Sequence, residues 1–224
     1  MSEYIGLILA SIAFVGTHCL MSHPLRAPMV SKLGDNGFMG IYSVVSLGTF
    51  IWMVNAFKAA PPATPVWAVG DGLWAAASVL TLLAAILFAG SLSGNPALPA
   101  PGADALAARE PSGVFRVTRH PMMWGFGLWG IGHILIAPRL DSFIFVGAII
   151  FLALVGAKAQ DAKKARAMGA SWQQWQSRTS YWPNLLALPR AGWLPWVAGI
   201  AIWAIATWAH GWFGYGGAGA FRWL

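Results

Sequence analysis

Six stretches of this chain carry no Asp, Glu, Lys or Arg over 16 residues or more: Tyr4–Met21, Gly37–Phe57, Gly72–Gly94, Pro121–Pro138, Ser142–Ala157 and Gly192–Phe213. A bilayer core about 30 Å thick needs about 20 apolar helical residues to cross it. Inside it every backbone N–H and C=O must be paired within the segment itself. The pattern therefore predicts an all-α polytopic membrane bundle of six spans, the fourth and fifth joined by the tight Pro138–Asp141 turn and possible as a hairpin. Only 9% of the 224 residues are charged and 58% are hydrophobic, whereas a soluble domain carries about 25% charged residues. The first stretch follows Glu3 rather than a basic residue, which reads as a retained helix rather than a signal peptide. No internal repeat stands out, and the chain reads as one domain over 1–224.

The net charge of +7 reads as basic loops facing anionic lipid, not as a nucleic-acid surface. Eleven of the 14 Lys and Arg lie in the loops after spans one, three and five. That bias places those loops in the cytoplasm and both termini on the periplasmic side. One cysteine, Cys19, excludes an internal disulfide and a Cys-rich metal site. The loop at 158–190 is expected to hold an interfacial helix, with Trp172, Trp175 and Trp182 as an aromatic belt. The tryptophans of the sixth span, 192–213, read as lipid-facing or packing residues.

Arg119-His120-Pro121 carries the most chemistry. Proline suits the first position of a helix, and the residue before it avoids the α region. His120 is thus expected at the N-cap of the fourth span, where a basic loop meets the membrane. His18 lies near the matching end of the first span, and His23 follows in the loop. His133 is 13 residues beyond His120, roughly 20 Å along a helix, at a depth like that of His210. His18 and His120 are then the pair able to share one metal, with no acidic residue expected beside them. Two histidines from two membrane helices are a common way to hold haem, with Arg116 and Arg119 as cations for propionates or a phosphate. Histidines with a structural role alone are the other reading of the same residues.

Phe14-Val15-Gly16-Thr17-His18, Tyr42-Ser43-Val44-Val45-Ser46-Leu47, Arg119-His120-Pro121-Met122 and Leu128-Trp129-Gly130-Ile131-Gly132-His133 occur in that order. In this the chain resembles the NnrU family over about residues 4–190. These are bacterial membrane proteins linked to denitrification and nitric oxide metabolism. The family is similar to 15-cis-zeta-carotene isomerase, a membrane haem b protein with two axial histidines. The resemblance implies an inner-membrane protein holding haem b through His120 and His18. His23 is the alternative to His18, because the spacing to Leu25-Arg26 differs by one residue, and His133 is a second-tier ligand. It also implies an alternative function, haem-dependent cis–trans isomerisation of a polyene or other hydrophobic small molecule.

A fainter similarity reaches isoprenylcysteine and phospholipid methyltransferases. They carry Tyr where this chain has Met123 and a Glu pair where it has Gln160-Asp161, departures that weigh against S-adenosylmethionine binding.

Overall fold

In the computed structural model every regular element is helical, and residues 2–98, 102–214 and 216–224 are described. Residues 99–101 of the predicted loop at 95–118, and residue 215 of the glycine-rich tail, lie outside the described residues. The helices are α1 (Ile5–Ser22), α2 (Arg26–Ala59), α3 (Asp71–Ser91), α4 (Ala103–Ala108), α5 (Pro121–Ile136), α6 (Leu140–Met168), α7 (Ala170–Arg178) and α8 (Trp193–Trp212). Four of them, α1, α2, α3 and α6, are long and apolar enough to cross a membrane. α8 makes a fifth if it is counted with the 3-10 turn Leu185–Ala191, bent from it by 104°. The predicted fourth span appears as α5, an apolar helix of 16 residues. It stops because Ala137 precedes Pro138 and so avoids the α region.

Three sequence expectations change, two boundaries and one burial. The basic segment expected as a loop at 22–35 is mostly helix, since α2 begins at Arg26 and bends at Gly34 (φ 69°). There Arg26 pairs with Asp35 at 3.3 Å. The fifth span, expected to be short and followed by a loop, is the 29-residue α6. Ala, Lys, Gln, Arg and Met dominate 157–168, all good helix formers, with no Pro or Gly until Gly169, whose φ of +54° starts α7 on a new axis. The third change concerns Trp172 and Trp175, read as an interfacial belt. They are 0% and 2% exposed and sit in a core with Ile86, Leu87, Val117 and Trp124. On so short a helix both indoles fall on the one face that packs inward. Trp182, at 69% exposure, keeps the outward position.

The chain forms two compact units. The first comprises residues 1–68 and 137–152, the second 69–136 and 153–224, so α6 contributes its first part to one and its remainder to the other. In the first unit α1 packs on α2, and Leu7, Ala10, Phe14 and Met53 form a small core. In the second unit α3 is central and both α5 and α8 pack on it. Glycines permit that approach. A Cβ on Gly125 would stand 3.0 Å from Ala84 O, and one on Gly199 would stand 2.6 Å from Ile86 Cα. Helix association in lipid relies on such close backbone packing.

Candidate functional site

His120 immediately precedes α5, and its carbonyl accepts the N–H of Trp124 at 3.0 Å. It is therefore the N-cap residue, as its place before Pro121 suggests. The segment 117–124 is sewn to 179–184 by backbone and side-chain bonds. Arg119 N–H donates to Ser180 O (2.8 Å), Asn184 N–H to Val117 O (2.8 Å), Thr118 Oγ1–H to Tyr181 O (2.8 Å), and Trp124 Nε1–H also to Tyr181 O (2.8 Å). These bonds fix the backbone on which the two functional side chains stand.

Those side chains converge on Asp161, in the second half of α6. Arg119 Nε donates to both carboxylate oxygens (3.0 and 2.9 Å) and its Nη2 to Oδ2 (2.6 Å). His120 Nε2–H donates to Oδ1 at 2.8 Å. All three are largely withdrawn from solvent, with side-chain exposures of 13% for Arg119, 1% for His120 and 10% for Asp161. The expectation that no acidic residue stands beside His120 is thus overturned. In the sequence Asp161 is the single acid among the basic residues of 158–190, noted there only for standing, with Gln160, where the methyltransferases carry a Glu pair. It reaches His120 because α6 continues well beyond its apolar stretch. A buried carboxylate shared by a guanidinium and an imidazole is the arrangement in which each charge has the partners that burial demands.

Aromatic rings close the site. The Tyr181 ring stands edge-on to His120 (5.8 Å between centroids), with Trp172 beyond at 6.4 Å. Arg119 lies over the Tyr181 ring at 5.6 Å, and Tyr181 O–H donates to Leu154 O at 2.7 Å. Burial, and then the negative charge of Asp161, push the Tyr181 phenol above its ordinary pKa, against the opposing effect of Arg119. With Nε2–H given to Asp161, the other ring nitrogen of His120, Nδ1, is buried without a hydrogen-bond partner. The indole N–H groups of Trp172 and Trp175 are in the same condition.

The other residues singled out by sequence lie elsewhere. Arg116 is exposed, and its Nε donates to Pro111 O at 3.2 Å. His18 belongs to the first unit. Its Nδ1–H donates to Phe14 O (2.7 Å), with the Phe14 ring at 4.5 Å and the Tyr42 ring at 5.5 Å. His23 is the C-cap of α1, its N–H on Cys19 O. His133 repeats the bonding of His18, with Nδ1–H on Trp129 O (2.8 Å) and the Trp129 ring at 4.2 Å. Its ring is 6.3 Å from that of His210 on α8. Among the described residues no group of three or more His, Cys, Asp or Glu is placed to hold a metal ion.

A family model described as NnrU protein matches residues 6–216, nearly the whole chain. No curated protein and no solved structure matches it.

Proposed function

Because the chain belongs to the NnrU family, we propose that this membrane protein binds haem b in the bacterial inner membrane and supports nitrogen-oxide metabolism, with His18 and His120 as the iron's ligands. The observation that carries the reading is how the two rings are bonded. Each gives one N–H to an oxygen, Phe14 O for His18 and Asp161 Oδ1 for His120. In the neutral ring the other nitrogen then carries the lone pair. Metal-ligating histidines almost always make such a bond, which sets the tautomer and raises ligand basicity. At His120 the lone pair falls on Nδ1, the buried atom with no hydrogen-bond partner, so the donor chemistry fits a metal there. The His120 ring is flanked by Trp172 and Tyr181.

Bound haem would supply an iron whose redox state and small-ligand affinity are tuned by the histidines that hold it and by their bonding partners. The chain's own residues do the rest. Asp161 orients the His120 ring and stabilises its Nε2–H tautomer, while Arg119 balances the carboxylate's charge. Arg116, exposed close to His120 in sequence, would be the cation for a propionate.

The test is the absorption spectrum of the protein purified from cells supplied with haem. A Soret band is expected, lost or greatly weakened in His18→Ala and His120→Ala and retained in His133→Ala. Protein that shows no Soret band and takes up no haemin overturns the reading.

One observation favours a second reading, haem-dependent isomerisation of a hydrophobic substrate. Within the first unit an apolar groove of about 540 Å³ runs along α1, lined by Ile8, Ile12, Val15 and Gly16 with Gly147 and Phe151 of α6. His18 follows Val15 by one helical turn. Incubation with a poly-cis carotene under reducing conditions tests it, and an unchanged isomer pattern counts against it.

A further inference from the structure

The apolar groove of the first unit holds one polar group. Of the described residues that line it, Ser11 of α1 alone carries a polar side chain, while α6 supplies Gly147, Ala148 and Phe151 among others. Ser11 is 6% exposed, and its Oγ is buried without a hydrogen-bond partner. A hydroxyl inside a helix commonly bonds the carbonyl four residues back. Thr17, Thr49, Ser78, Thr81 and Thr207 all do so here, each at 2.8 Å. Ser11 makes no such bond. The hydrocarbon of a bilayer offers no water to replace it. The serine hydroxyl turns about a single torsion among three staggered positions, and a guest in the groove that carries oxygen would give it the missing partner.

Three features define that guest. The groove measures about 540 Å³, within the roughly 300–1,000 Å³ of small-molecule pockets. Its lining is aliphatic apart from Ser11 and Phe151, which suits an apolar chain joined to a flat ring that packs on the phenyl group. The third feature is depth. The 18 residues of α1 extend about 27 Å at 1.5 Å per residue, close to the roughly 30 Å of a hydrocarbon core. Ser11 stands six residues after Ile5, roughly 9 Å in from that end. Phospholipid ester carbonyls lie at the polar boundary, short of this depth, and a pure hydrocarbon brings no oxygen at all. A quinone ring carries carbonyls into the acyl region. The serine hydroxyl also matches both of its redox forms, donating to a quinone carbonyl or accepting from a quinol O–H.

We propose that the groove between α1 and the first part of α6 binds an isoprenoid quinone, its ring beside Phe151 and one carbonyl accepting the Ser11 hydroxyl. The inference does not depend on haem, and it goes beyond the isomerisation reading, in which a hydrocarbon substrate leaves that hydroxyl unpaired.

The experiment is a calorimetric titration of the purified, detergent-solubilised full chain with ubiquinone-2, together with infrared difference spectra of the quinone labelled with carbon-13 at its carbonyls. One quinone per chain is expected, with one carbonyl stretch moved to lower frequency. Ser11→Ala should weaken binding about fivefold, the worth of one neutral hydrogen bond, and abolish the frequency shift. Gly147→Leu should weaken it at least tenfold, because a side chain there meets nothing within 4 Å and occupies the groove. Thermal melts establish that both variants are folded. Unchanged affinity and an unchanged carbonyl band in folded Ser11→Ala overturn the proposal. So does displacement of the quinone by an equal concentration of squalene, which has no oxygen. A dimer of the parent that dissociates in Gly147→Leu, with no quinone bound, puts a second copy in the groove and overturns it too. The Soret band is read on the same samples. Quinone binding without haem uptake sinks the haem reading alone, and haem uptake without quinone binding sinks this one alone.

Discussion

His18 and His120 are both histidines at a helix end with one ring N–H given to an oxygen, yet the two regions around them are built on different principles. His18 bonds the carbonyl four residues back in its own helix, a partner that the helix provides locally. His133 and His210 find theirs in the same way. His120 bonds a carboxylate 41 residues away, itself held by Arg119, and the cluster exists only when the start of α5 and the distal part of α6 are folded together. The first arrangement is local and cheap to lose. The second places charges where leaving any one of them alone is costly. The packing around them differs in the same sense. Gly16 on α1 has open space where a side chain would project, whereas Gly199 on α8 faces the backbone of α3.

The largest effect should come from Asp161→Ala. It leaves the Arg119 guanidinium and the His120 N–H buried without their acceptor, and breaking a buried pair in this way costs about 3–5 kcal/mol. Thermal melting in detergent should show a drop far larger than that of His18→Ala. Equal losses in the two variants would mean that the two histidine environments contribute alike. Next is Gly199→Ala, whose new methyl meets Ile86 Cα at 2.6 Å and should cost about 1–3 kcal/mol as overpacking. Gly16→Ala, with nothing within 4 Å of the new atom, should be neutral or stabilising by up to about 1 kcal/mol from helix propensity.

Thr118→Val removes the buried hydroxyl that donates to Tyr181 O and accepts the His120 N–H and should cost about 1–2 kcal/mol, since both partners are left in a buried site. The smallest effect is spectroscopic. Asp161→Asn removes the negative charge that helps raise the Tyr181 phenol, so ultraviolet titration should show that phenol ionising at lower pH than in the parent. A phenol raised in the folded state favours folding fully below its unfolded pKa of about 10. That contribution is lost as pH rises through the folded value. The alkaline fall in stability should therefore be shallower in Asp161→Asn.

The sequence made the site half legible. Arg119-His120-Pro121 announced a histidine N-cap because proline fixes its own φ and restricts its neighbour, and the cap is where that reasoning puts it. Arg119 was read as a cation for an external anion, but its guanidinium is taken up by Asp161. Asp161 was noted as a departure from the methyltransferase Glu pair, but its pairing with Arg119 and His120 was missed because it stands in a run of Lys and Arg that reads as a solvated basic loop. Trp172 and Trp175 were misplaced for a related reason. Tryptophan beside basic residues is the composition of a membrane interface, and composition does not say which face of a nine-residue helix turns inward.

What the residues alone determined is local: apolar length sets where helices cross lipid, proline and glycine set where they stop, and a helical histidine takes the carbonyl four residues back. What only the tertiary structure decided is which distant groups share a buried charge and which aromatic rings pack beside one another. Those outcomes depend on how far α6 runs past its apolar stretch and on how closely α5 and α8 approach α3. Such distances are set by side chains packing across helices, and no short window of sequence contains both sides of that contact.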